Sequence, residues 1–271
     1  MLRDIVVHIP VDRSAQPVID CAVSMGGIFD AHLDGIACVY PTFDPVTVLE
    51  VSIAATHSNM ESAASALDQF EIAARRFGIS HGVRCISNVS HAGTPILTKI
   101  SRLYDLSIVA QPDYSEPSQG DQLPEAILFN SGRPMLMVPY IHAGPLKLDR
   151  VLICWDGGRP ASRAIHDAMP FLHRAKAIDV VAVNEDSATV DEASSEALQT
   201  HLARHDLSAD VHRIATNTGN IFNAILSLAA DKDTDLIVMG GYGHSKLRES
   251  ITGGVTRGMF ESLTVPALIS H

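Results

Sequence analysis

The sequence predicts an α/β protein built from two tandem doubly wound domains, each around a five-stranded parallel sheet. Three observations carry that expectation. Apolar runs of strand length alternate with stretches whose apolar residues recur at helical spacing, the mark of βαβ units with right-handed crossovers. The same series of runs occurs twice, offset by about 145 residues. One run, Asp235-Leu-Ile-Val-Met-Gly240, leads straight into spaced glycines, as a buried parallel strand does where the backbone turns toward a ligand.

The elements follow in order. Asp4-Ile-Val-Val-His-Ile-Pro10 opens the first half and matches Arg150-Val-Leu-Ile-Cys-Trp-Asp156 in the second. His32–Val39 matches Ala177–Val183 as the second strand. Met60, Ala63, Ala64, Leu67, Phe70, Ala74 and Phe77 mark a long helix that Gly78 stops. Asp105–Ala110 matches Asp235–Gly240, and Pro134–Pro139 corresponds to Pro266–Ile269 as the last strand. In the second half, Ala161, Ala164, Ile165, Ala168, Met169 and Leu172 lie on one face of a helix, and Pro170 kinks it or falls in an irregular last turn. The helical run Ala193–His205 and a short helix Val255–Leu263 complete that half. Ile141–Lys147, with Gly144-Pro145, reads as the linker, giving domains at 1–142 and 147–271.

Composition narrows the function. The chain has 271 residues, 46% hydrophobic and 19% charged, and that balance is of a globular protein with a sizeable core. A net charge of -11 argues against nucleic acid and anionic membranes, whose phosphates call for Lys and Arg. No stretch approaches the ~20 apolar residues of a membrane span. The N-terminus runs directly into a strand, with no signal peptide, so a cytoplasmic protein is expected. Cys21, Cys38, Cys85 and Cys154 are isolated, and the expectation is buried apolar side chains rather than redox or zinc ligands.

The glycines after Met239 are spaced Gly240-x2-Gly243-x9-Gly253-Gly254, and Val255-Thr256 opens the next helix. Free N–H groups of a glycine-rich turn and a helix start suit phosphate. The segment has no Gly-Lys-Ser/Thr and does not fit the dinucleotide G-x-G-x-x-G pattern. Its spacing, the Leu-Ile-Val-Met-Gly strand, the polar residues His244, Ser245, Lys246 and Arg248, and the closing Thr264-Val-Pro266 together resemble the nucleotide-binding signature of the universal stress protein family. The resemblance extends over both halves, which makes the chain look like a tandem member of that family. It implies the universal stress protein, or adenine nucleotide alpha hydrolase-like, fold, with the two domains packed as an intramolecular copy of the family's homodimer. A homodimer of whole chains stays open beside that pairing.

The resemblance also implies a ligand, ATP or a related adenine nucleotide with Mg2+ or Mn2+, and the residues that hold it. Asp156 matches the strand-end aspartate that contacts the nucleotide; by itself it could equally cap the next helix or form a turn with Gly157. Val183 would pack on adenine and Met239 would cover the base edge, though both suit a core as well. Gly240 and Gly243 would let the loop pass close to ribose and the first phosphates, with His244 beside them. Gly253, Gly254, Val255 and Thr256 would hold the distal phosphates. Many nucleotide binders of the family have Ser or Thr where this chain has Gly254. The lost hydroxyl contact to a charged group is worth about 1.5–3 kcal/mol, which weakens binding without erasing the backbone donors.

The first half lacks this equipment. Pro10 stands for Asp156, Ala110 for Gly240, and Asp113 falls near Gly243. Asp113 and Glu116 would repel phosphate. Elsewhere, His201 and His205 have the i, i+4 spacing of a zinc pair without an evident third ligand. Ser162 and Ser245 lack hydrolase partners, and no G-x-S-x-G elbow occurs. The expected function is an adenine-nucleotide-binding stress-response or regulatory protein with at most weak ATPase activity. Two alternatives are a scaffold that binds no nucleotide and a slow phosphoryl-transfer enzyme with Asp156 as its acid.

Overall fold

The computed structural model describes residues 2–39, 49–86, 94–185, 192–241, 260 and 262–271. The chain folds into two compact units, Met1–Leu146 and Lys147–His271. The first runs β1 (Asp4–His8), α1 (Gln16–Phe29), β2 (His32–Cys38), α2 (Leu49–Arg76), β3 (His81–Ile86), α3 (Thr94–Ser101), β4 (Leu106–Ala110), α4 (Leu123–Asn130) and β5 (Met135–Val138). Its strands lie in the order β3-β2-β1-β4-β5, all parallel. The second unit runs β6 (Arg150–Trp155), α5 (Arg159–Leu172), β7 (Ala177–Val183), α6 (Ser195–Ala203), β8 (Asp210–Ile214), α7 (Ile221–Asp231), β9 (Leu236–Gly240) and β10 (Ala267–Ser270). Its order, β8-β7-β6-β9-β10, is the same plan, again all parallel.

The central strands are apolar because helices cover both faces of each sheet. Ile5, Val7, Leu106 and Ile108 are fully buried in the first unit, as are Val151, Ile153, Leu236 and Val238 in the second. Ladder register fixes the internal repeat residue by residue. Ile5 pairs with Leu33 and Leu106, and Val151 pairs with Ile178 and Leu236. Pro10 therefore takes the place of Asp156, and Ala110 that of Gly240.

The third strand of each unit has no apolar run. His81–Ile86 and Asp210–Ile214 are edge strands, half-buried to exposed, and carry Arg84, His212 and Arg213. Charged side chains on short edge strands protect an open sheet edge from pairing with other chains. This position overturns the expectation of four buried cysteines. Cys85 lies on β3 and is exposed, Cys154 is half-buried, and Cys21 and Cys38 are buried. Burial pushes the thiols of Cys38 and Cys154 up to about 12 and raises that of Cys21 further, so all three stay protonated at neutral pH.

Two helices differ from expectation in detail. α2 begins at Leu49, well before Met60, and only Ala63, Leu67, Phe70 and Ala74 of the expected stripe are buried. Met60 and Phe77 are exposed because they lie at either end of the stretch that covers the sheet. In α5, Pro170 falls in the last turn and the helix ends two residues later at Leu172. Pro160 sits in the first turn of the same helix, where a missing N–H costs nothing. No helix among the described residues is long and apolar enough to cross a membrane.

Candidate functional site

In the second unit β6 and β9 are neighbours, while the chain leaves β6 toward β7 and leaves β9 toward β10. The carboxyl ends of these two strands thus flank the point where strand order reverses, the usual ligand crevice of an open parallel sheet. Asp156 follows β6 and is exposed. Its Oδ1 accepts a hydrogen bond from the Gly158 N–H at 2.8 Å, and Gly157 between them has φ +69°. Gly158, not Asp156, occupies the N-cap of α5. The aspartate is a turn former at the end of β6.

Gly240 ends β9, half-buried. A Cβ there would lie 2.5 Å from the Pro160 carbonyl carbon and closer still to the Ala161 nitrogen. Glycine is required at this position because the first turn of α5 packs directly on the strand end. α5 continues across β9 and β10, and Ser270 at the end of β10 donates to Asp167 of α5 at 3.0 Å. Met239 is half-buried beside Gly240. The Gly241 N–H donates to the Ser270 carbonyl at 2.8 Å, which carries the ladder one residue past the strand.

Val183 is the last residue of β7, half-buried and paired with Ile214. The chain then turns at Asn184, whose φ is +58° and whose Oδ1 accepts from the Thr216 N–H at 2.8 Å. Glu185 follows and supports the start of α6, whose N-cap is Ser194: Glu185 accepts from the Ser195 N–H at 2.6 Å and from the Ser195 hydroxyl at 2.5 Å, and pairs with Arg213 at 2.9 Å. Burial raises the Glu185 carboxyl, but the hydrogen bonds from Ser195 and Arg213 outweigh it and hold the group below its ordinary value. Hydrophobic periodicity gave no sign of these contacts.

Asp156, Val183, Met239 and Gly240 are thus placed at the ends of three adjacent strands. The other expected contacts, Gly243, His244, Gly253, Gly254, Val255 and Thr256, lie outside the described residues, as do Ser245, Lys246 and Arg248.

Beside the end of β6, a cleft of about 410 Å³ lies between α5 and α6. Trp155, Ile165, Met169 and Leu198 line it together with His166, His201 and His205. The Trp155 indole N–H donates to the Ala193 carbonyl at 2.8 Å. The rings of His201 and His205 meet edge-on, 4.7 Å between centroids. Among the described residues no three His, Cys, Asp or Glu side chains are grouped to hold a metal ion.

Comparison with known proteins gives a family for this half and a fold for the whole. The universal stress protein family model matches residues 147–271. Among solved structures, a universal stress protein from Archaeoglobus fulgidus DSM 4304 is similar with a TM-score of 0.73 at 17% identity, over 98% of this chain and 95% of that one. A functionally unknown protein from Pseudomonas aeruginosa PAO1 is similar with a TM-score of 0.63 at 17% identity, over 99% and 92% of the two chains. No curated protein matches the sequence. The matched segment coincides with the second unit, so residues 147–271 form a domain of the universal stress protein family.

Proposed function

We propose that residues 147–271 bind ATP or a related adenine nucleotide, with Mg2+ or Mn2+, and that the chain is a nucleotide-responsive regulatory protein of the stress-response type. The observation that carries this reading is the series Gly240-x2-Gly243-x9-Gly253-Gly254, which begins where β9 ends, beside Asp156 at the reversal point of the sheet. Backbone N–H groups of such a segment would take the phosphates, and the strand ends at Val183 and Met239 would meet the base. Regulation is favoured over catalysis by the chemistry near the crevice. The Cys154 thiol is held protonated, and one oxygen of the Asp156 carboxylate is already engaged by its own turn.

Calorimetry on the full chain with ATP and Mg2+ tests the proposal. The wild type should give a saturable heat. Gly243→Val should abolish it, because a β-branched side chain would stand where the backbone must approach the ligand. Gly254→Ser should tighten binding by restoring the hydroxyl. Equal ATP affinity in the wild type and Gly243→Val would sink the assignment.

A second reading has an observation of its own. Gly240 is needed for packing against α5, and Asp156 builds a turn, so both residues have reasons to be present without any ligand. A scaffold acting through its surfaces would keep both. Ultraviolet absorbance and mass spectrometry of the purified protein separate the two readings: the regulatory one expects co-purified or rebindable nucleotide, the scaffold one expects neither.

A further inference from the structure

The first unit has its own reversal point, between the carboxyl ends of β1 and β4, and there the crevice is filled by the chain itself. Arg13, on the segment after β1, lays its guanidinium across the gap. Nη1 donates to the Gln111 carbonyl just past β4 at 3.2 Å. Nη2 donates to the Ser118 hydroxyl at 3.0 Å and pairs with Asp121 Oδ1 at 2.9 Å. Nε donates to Asp12 at 3.3 Å. The Arg13 side chain is 19% exposed and that of Asp121 only 9%. The space left in the crevice, about 10 Å³, is smaller than any organic ligand.

The acceptors are organised independently of the guanidinium. Asp121 Oδ1 accepts from the Asp113 N–H at 3.1 Å, and Oδ2 accepts from the Ser118 N–H at 2.5 Å. Ser118 in turn caps the single 3-10 turn Gln119–Gln122 that leads into α4. A carboxylate fixed by two backbone donors, a hydroxyl and a carbonyl thus converge on one planar cation. Only a guanidinium satisfies that fork of acceptors; an ammonium offers a point charge without the geometry.

We infer that the first unit's crevice has become a guanidinium-recognition site whose resident ligand is Arg13 of the same chain. The position that takes an anion in the nucleotide reading of the second unit is here of opposite polarity and permanently occupied. The unit is locked in a ligand-closed state that needs nothing from solution. This inference does not depend on nucleotide binding in the second unit.

Removing the tether while supplying its head group tests it. In the full chain, Arg13→Ala should speed amide hydrogen exchange over residues 111–124 by on the order of tenfold or more, the weight of one charge-assisted hydrogen bond. β6 serves as the internal reference and should not change. Millimolar methylguanidinium should restore protection in Arg13→Ala, and methylammonium should not. In Arg13→Ala/Asp121→Asn, methylguanidinium should restore nothing. Exchange unchanged in Arg13→Ala, or raised and not reversed by methylguanidinium, overturns the proposal. Arg13→Gln, which keeps much of the side-chain bulk, is measured the same way with the same two outcomes should the alanine variant fail to accumulate.

Discussion

His8, at the end of β1, shows how one buried side chain sets a pH limit. It lines the crevice that Arg13 fills and faces Asp12, Arg13 and Asp121. Burial pushes its pKa down to about 4; Asp12 and Asp121 pull it upward and Arg13 downward, without offsetting the loss of hydration. The unfolded chain therefore binds a proton that the folded chain refuses between pH 6.5 and about 4. Stability from this group is complete above pH 6.5 and is lost as pH falls through that window, by about 3 kcal/mol in all. Urea unfolding from pH 7.5 to 4 should show that slope, and His8→Leu should flatten it. At Gly240 the expectation is steric. Gly240→Ala should destabilise the protein by roughly 1–3 kcal/mol, because the contact is with backbone that cannot swing away. An unchanged melting temperature would remove the packing account and return this glycine to the ligand.

Strands repeat between the halves in more than their apolar pattern. Each second strand carries an aspartate at the same register, Asp34 opposite Val6 and Asp179 opposite Leu152. Each ties its neighbours by a different route. Asp34 accepts from the Tyr104 hydroxyl at 2.5 Å, and burial with the nearby carboxylate lifts that phenol to about 12. Asp179, with a fully buried side chain, accepts from Arg150 at 2.7 Å and His212 Nε2 at 2.6 Å, which joins β6, β7 and β8. Burial raises the Asp179 carboxyl, but bonds from His212 and Arg150 outweigh it and leave it below its ordinary value. Its contribution is present above the unfolded carboxylate pKa and is lost as pH falls below it. Asp179→Ala should cost roughly 3 kcal/mol by stranding its partners, while Asp34→Ala, at a more exposed site, should cost less. Chemical denaturation of the two variants makes the comparison. The edge strands β3 and β8 were illegible as strands, because apolar periodicity reports burial and these elements have little of it. The central strands were legible for the same reason in reverse.

The whole molecule pairs two units of one plan with unlike crevices. Equilibrium dialysis should find one nucleotide per full chain, not two, since Arg13 fills the first crevice and Pro10, Ala110 and Asp113 replace the contacts expected of the second. Two equivalents would show that the first unit opens. Sequence by itself determined the fold class, the repeat, the buried central strands and the glycine spacing after β9. Each of these is read from local patterns, written in residues a few positions apart, and the repeat from the recurrence of those patterns in the second half. The tertiary structure alone decided that Gly240 carries the weight of α5, that Cys85 is exposed, and that Arg13 meets Ser118 across 105 positions of chain. Those facts depend on which distant backbone segments the sheet brings together, and no periodicity records a contact between residues so far apart along the chain.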